Sequence, residues 1–94
     1  MSAPTPTTQA RLDAHRAKEA AERDLHAAKV LLNAEACFIA RAWSNGWPVR
    51  PDDAARFRDL DGAYSRALAA HNAAVNAYVD ALTLPEGEIG RAHV

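Results

Sequence analysis

The sequence is poor in the residues that most catalytic and cofactor-binding motifs require. Its single cysteine, Cys37, excludes an intrachain disulfide and a cysteine-rich zinc site; a small buried side chain is the simplest interpretation, and a disulfide between two copies is the alternative. Only four glycines occur, and they form no phosphate-binding loop. No serine or cysteine stands in a recognisable nucleophile motif. We therefore expect no enzymatic activity, no cofactor and no metal.

An excess of charge of one sign and long hydrophobic runs are also missing. Eleven basic residues against twelve acidic ones give a formal net charge of -1, which provides no attraction to nucleic acid or to an anionic membrane. No apolar run approaches the roughly 18 residues that a transmembrane helix needs, and the N-terminus lacks the pattern of a secretory signal. The sequence thus predicts a cytoplasmic protein that binds neither nucleic acid nor membranes.

Strong helix formers dominate the rest of the chain. Hydrophobic residues make up 49% of the sequence, many of them alanine, and neither glycine nor proline interrupts residues 9–44. Asn45 and Gly46 favour the end of a helix, and the prolines that follow prevent its immediate continuation. The pattern predicts an all-α fold, an antiparallel two-helix hairpin over about residues 8–45 and 51–83.

The two ends of the chain differ from this helical region. Residues 1–8 hold two prolines and three threonines, and we expect a flexible leader there, with Thr7 or Thr8 capping the first helix. Residues 85–94 are expected to form a flexible tail. The single helical hairpin domain predicted between them covers residues 9–84, because a chain of this length suits one thin core.

Apolar residues at three- and four-residue steps predict how the two helices pack. In an antiparallel hairpin with this turn, the numbers of paired residues add up to about 95, so Ile39 is expected near Phe57. On the first helix, the inner stripe consists of Ala14, Ala21, Leu25, Ala28, Leu32, Ala36, Ile39 and Trp43. On the second helix, it consists of Phe57, Leu60, Tyr64, Leu68, His71, Val75, Tyr78 and Leu82.

The first helix carries a second apolar face, for which the hairpin offers no partner. Its residues are Ala27, Val30, Leu31, Ala34 and Phe38. Because a helix that is apolar nearly all round is buried on more than one side, we expect this face to be the seam of a homo-oligomer. A symmetric dimer forming a four-helix bundle is the simplest such assembly. A docking site for a helix of a foreign protein is the alternative.

Histidines occur in two patterns that could belong to a functional site. One strip of the first helix carries His15, Glu19, Glu22 and His26. Di-metal bundles use such residues, but the four-residue step from Glu22 to His26 favours a solvated face with an ion pair between them. His71 lies on the inner stripe, where we expect its imidazole to be hydrogen-bonded to a neighbour; a pH-responsive contact is the alternative.

Two tryptophans, Trp43 and Trp47, flank the predicted turn. Large rings at this place commonly clamp the end of one helix against the other. A surface for partner binding is the alternative, because tryptophan is enriched at binding hot spots.

The layout resembles that of the small Trp-X-Gly hairpin proteins exported by type VII secretion, which are about as long and carry a tryptophan at the turn. Here the turn reads Trp43-Ser44-Asn45-Gly46, one residue longer than their motif. Leu82 stands four positions after Tyr78, where their export signal has an acidic residue. The resemblance therefore covers the architecture only, and it implies an exported helical hairpin.

Function must be inferred from assembly, because no motif names an activity. We predict a non-enzymatic protein–protein interaction module, a self-associating hairpin that acts as a small regulator, adaptor or inhibitor, a virus-encoded one included. Its expected partners are a second copy of itself and another protein. An exported protein like the type VII hairpins and a metal-binding bundle are the alternatives.

Overall fold

The predicted two-helix hairpin is the fold of residues 5–83. The computed structural model describes residues 5–83, which form two packed helices, α1 (Pro6–Ser44) and α2 (Pro51–Leu82). No strand occurs within this part of the chain. The predicted leader is described only from residue 5 onward, and the predicted tail, residues 85–94, lies outside the described residues.

Helix α1 begins earlier than the sequence predicts. Thr5, and not Thr7 or Thr8, is the N-cap, because its hydroxyl oxygen accepts a hydrogen bond of 3.1 Å from the backbone N–H of Thr8. Pro6 then occupies the first turn, where a missing N–H costs nothing and the fixed φ suits a helix. The proline is therefore the first residue of α1 rather than part of a leader that precedes it.

Helix α1 ends at the predicted turn through bonds within the local chain. Gly46 has a φ of 71°, the left-handed conformation that glycine adopts without strain. The N–H of Trp47 donates to the carbonyl of Ala42 at 2.8 Å, and the N–H of Gly46 donates to that of Trp43 at 3.2 Å. These two bonds form a Schellman motif, which satisfies carbonyls that the end of the helix leaves unpaired.

Helix α2 begins as its first residues predict. Pro51 lies in the first turn, and Asp52 and Asp53 place carboxylates at the positive end of the helix dipole. The carboxylate of Asp53 also accepts a hydrogen bond of 3.3 Å from the backbone N–H of Arg50. Residues at the end of α1 and at the start of α2 thus determine where the loop between the two helices starts and ends.

Contacts between the helices establish the antiparallel register. Arg11 Nε donates to the carbonyl of Ala81 at 3.2 Å, and the ring centroids of His15 and Tyr78 lie 5.5 Å apart. The residue numbers of these pairs add up to 92 and 93, close to the predicted value. The Arg11 guanidinium also lies at the C-terminal end of α2, where the helix dipole favours a positive charge.

The side chains between the helices form a seam that differs in part from the predicted stripes. Ala36 and Val75 of the predicted stripes are half-buried beside this seam. Its main positions, all buried or half-buried, advance in alternating steps of three and four residues. We call them the inner seam. On α1 they are Ala14, Lys18, Ala21, Leu25, Ala28, Leu32, Glu35, Ile39 and Ala42. On α2 they are Phe57, Leu60, Tyr64, Ala67, His71, Ala74, Tyr78 and Ala81.

The predicted stripes are wrong at Leu68, which is 38% exposed, and near the helix ends. Trp43 is 80% exposed and its neighbour Ala42 is buried; similarly, Leu82 is 49% exposed and Ala81 is buried. The cause is that a pattern read at 100° per residue drifts by about 20° in every seven residues from a seam with a 3.5-residue repeat. The inner seam therefore contains seven alanines among its 17 residues, and Ala42 and Ala81 stand at its ends in place of the large residues predicted there.

Candidate protein–protein interface

The second apolar face of α1 is exposed along its whole length. Val30, Leu31 and Phe38 are 52%, 56% and 51% exposed. Ala27 and Ala34, between them on the helix, are exposed as well. We call these five residues the outer face. Large apolar side chains so close together are an unusual surface for an isolated hairpin, and they mark a candidate interaction site.

Opposite charges stand at the two ends of the outer face. Asp24 precedes it and Arg41 follows it, and both side chains are exposed. Within residues 5–83, neither side chain takes part in an ion pair or a side-chain hydrogen bond. Both charges are therefore available to a partner that covers the outer face.

Cys37 lies next to Phe38 and is exposed. The interpretation of Cys37 as a buried side chain is therefore wrong for the hairpin. The inner seam passes through Glu35 and Ile39 instead, on the other side of the helix.

The turn presents both tryptophans to solvent. Trp43 is 80% exposed and Trp47 is 56% exposed, so Trp43 does not clamp α1 against α2. Trp43 instead forms one side of an open pocket of about 450 Å³. Its lining is almost entirely apolar and consists of Ala36, Ile39, Ala40, Trp43, Ser44 and Phe57. The exposure favours the alternative in which the tryptophans offer a surface to a partner.

A polar cluster joins the two helices near the middle of the hairpin. Glu22 Oε1 lies 2.6 Å from Lys18 Nζ and 3.8 Å from His71 Nε2, so its partners are these residues and not His26. The hydrogen bond with Glu22 raises the pKa of the Lys18 ammonium. The same bond and, more weakly, His71 lower the pKa of the Glu22 carboxyl. Glu22 thus links both helices electrostatically.

The remaining histidine contact of this cluster also spans the helices. His15 Nδ1 lies 3.1 Å from Glu19 Oε1, and its ring contacts that of Tyr78. Lys18 Nζ lies 5.7 Å from the Tyr78 ring centroid. Within residues 5–83, no group of three or more His, Cys, Asp and Glu side chains is arranged to hold a metal ion.

A buried carboxylate in the inner seam escaped the sequence reasoning. Glu35 is only 9% exposed, and its Oε1 has no hydrogen-bond partner in the described part of the chain. The signal was its spacing, since Glu35 lies three residues after Leu32 and four before Ile39. A glutamate is ordinarily predicted to be exposed. Only its place in the three- and four-residue steps of the inner seam indicates that it is buried.

No protein-family model, curated protein or solved structure matches the chain. Neither described helix contains a stretch that is both long and apolar enough to cross a membrane.

Proposed function

We propose that this protein is a non-enzymatic protein–protein interaction module, a helical hairpin that self-associates and acts as a small regulator, adaptor or inhibitor. One observation carries the proposal: the outer face exposes half of each large apolar side chain, whereas the only buried apolar residues of the described hairpin are Ala42 and Ala81. Its apolar surface is thus placed for contact with a further chain rather than within the hairpin.

The hairpin alone buries little apolar surface. It consists of two helices packed side by side, which form a single layer. Lys18, Glu35 and His71 occupy positions of the inner seam at which apolar side chains would have packed. Because stable domains generally consist of two or more packed layers, a second layer across the outer face would complete the core.

The size of the outer face indicates a weak assembly. Full burial of a Val, Leu or Phe side chain contributes about 1.5–3 kcal/mol, so burying the exposed half of one contributes about 1 kcal/mol. Val30, Leu31 and Phe38 of two copies would then contribute about 6 kcal/mol, which is within the range of about 4–15 kcal/mol that association costs. Contacts around the outer face must add to this term, and we expect a weak dissociation constant, on the order of 100 µM.

The proposed assembly is a homodimer in which two hairpins form a four-helix bundle. A pair of hairpins stacked on their outer faces has the layered arrangement of such bundles. The exposed turn, with Trp43 and Trp47, stays outside the seam and is the surface proposed for a second, different protein. A net charge of -1 gives no support to a nucleic-acid or membrane partner.

Sedimentation equilibrium over about 10–500 µM tests self-association, because this range brackets the expected dissociation constant. The wild-type protein should approach the mass of a dimer as its concentration rises. A Leu31→Glu, Phe38→Glu double variant should stay monomeric and helical, since it places two carboxylates in the outer face.

A matched control uses the polar strip of the same helix. His26→Glu, Asn33→Glu introduces two glutamates with the same seven-residue separation at exposed positions, and it should dimerise like the wild type. Dimerisation that survives the outer-face variant would show that the contact lies elsewhere. A wild-type protein that remains monomeric throughout would remove the basis of the proposed function.

A further inference from the structure

We infer that the second copy crosses the outer face with its α1 antiparallel to the first, the twofold axis passing between Leu32 and Asn33. This inference rests on the proposed self-association and adds its register. It depends on three features of α1: the spacing of the outer face, the alternation of large and small residues along it, and the charges at its ends.

Apart from Val30, the outer face and its flanking charges advance in alternating steps of three and four residues, as the inner seam does. In order along the helix they are Asp24, Ala27, Leu31, Ala34, Phe38 and Arg41, all exposed. Two antiparallel helices can interlock such rows in only a few registers, each displaced by one seven-residue repeat. The side chains decide which register is favourable.

In the inferred register each large residue of this row, Leu31 and Phe38, meets a small one. Phe38 lies opposite Ala27 of the second copy, and Leu31 lies opposite Ala34 of the second copy. By symmetry, each contact occurs twice. Facing helices that alternate large and small side chains interdigitate without gaps. Ala27 and Ala34 are therefore part of the contact between the two copies, because they make room for Phe38 and Leu31 of the second copy.

The same register joins the unpaired charges. Asp24 lies opposite Arg41 of the second copy, and this pair also occurs twice, once at each end of the apolar contact. Displacement of the register by one repeat in either direction leaves both charges opposite uncharged residues or beyond the contact. A parallel arrangement instead places Asp24 against Asp24 and Arg41 against Arg41, which is repulsive. Charge complementarity thus favours one register and one direction.

Charge reversal tests the pairing. Asp24→Arg alone and Arg41→Asp alone each convert both cross-pairs of a homodimer into like-charge contacts, so each variant should self-associate at least about tenfold more weakly than the wild type. An equimolar mixture of the two variants should form heterodimers with an affinity close to that of the wild type, because every cross-pair is then attractive again. Asp61→Arg is the control: it makes the same change of charge at an exposed position of α2 and should have no effect.

A distance measurement tests the direction without any charge variant. In a Cys37→Ser, Ser44→Cys protein carrying a nitroxide label, the two labels of an antiparallel pair should lie about 35 Å apart, since 23 residues separate them along the axis at about 1.5 Å each. A parallel pair would bring them to within roughly 20 Å. Circular dichroism of every variant checks that helix content is unchanged.

The outcomes separate this inference from the proposed function. Weakened single variants, a restored mixture and the long distance would support the register. A dimer with the short distance, or one that both single variants form as readily as the wild type, would overturn the register and leave self-association intact. A wild-type protein that is monomeric at every concentration would overturn both.

Discussion

Replacing Glu35 with leucine should stabilise the hairpin. Glu35 lies in the inner seam near Leu32 and Ile39, is 9% exposed, and has one carboxylate oxygen without a hydrogen-bond partner in the described residues. Leucine is a stronger helix former of comparable size and would continue the apolar surface of its two neighbours. The substitution removes a polar group that folding takes out of water and leaves unpaired.

The expected gain follows from that lost hydration. A buried acceptor without a partner costs about 1–3 kcal/mol, and replacing buried charged groups by apolar ones of similar volume is often neutral or stabilising by about 1–4 kcal/mol. We expect the free energy of unfolding to rise by about 2 kcal/mol. Since about 1 kcal/mol shifts the midpoint of a domain this small by about 4–8 °C, Tm should rise by about 10 °C.

Thermal and urea unfolding followed by circular dichroism would measure the change, at low micromolar concentration so that self-association contributes little. Glu19→Leu is the matched control: this glutamate is exposed on the same helix and its contact with His15 is an exposed pair, so its replacement should change stability by no more than about 0.5 kcal/mol. If Glu35→Leu is no more stable than the control, or is less stable than the wild type, the carboxylate has a compensating partner and the reasoning fails.

Two glycines and one glutamate provide further tests. Gly46→Ala should destabilise the protein by about 1–2 kcal/mol, because φ is 71° there, whereas Gly62→Ala in the interior of α2 should stabilise it by about 0.5–1 kcal/mol; thermal unfolding that shows the same sign for both would contradict this. Glu22→Gln should destabilise the hairpin at neutral pH. Because Lys18 and His71 lower the pKa of Glu22, its contribution is fully present above the ordinary glutamate value of about 4.3 and is lost as the pH falls through the lowered pKa. Unfolding measured at several pH values should show the difference vanish in acid, and a difference that persists there would refute the role of the ion pair.

The helix bounds were predictable because local chemistry sets them. The stretch without glycine or proline, the left-handed Gly46 and the proline that opens α2 act within a few residues of chain, and the observed bounds differ from the predicted ones by at most two residues. The one misplaced end has a local reason too. Pro6 lies in the first turn, which makes Thr5 the N-cap. The prediction instead placed the cap at one of the two following threonines, Thr7 or Thr8.

The residues of the inner seam were only partly predictable. Large apolar residues mark it correctly at Leu25, Leu32 and Tyr64, whereas Leu68, predicted in the seam at the middle of α2, is exposed. Toward the ends, the seam follows a 3.5-residue repeat that depends on a partner helix, and alanines replace the large residues expected there. The exposure of Trp43 and the burial of Glu35 both result from this shift, and neither can be read from apolar periodicity at a fixed angle.

The candidate interface, like the inner seam, was predictable from the sequence only in part. Periodicity along α1 was enough to predict that Val30, Leu31 and Phe38 form a face of their own, since an apolar stripe on a single helix is a property of residue spacing. That α2 leaves this face about half exposed, and that Asp24 and Arg41 remain unpaired beside it, depended on how the two helices pack. Spacing along one chain determines which residues share a side of a helix, whereas burial is decided by the neighbour that the fold places against that side.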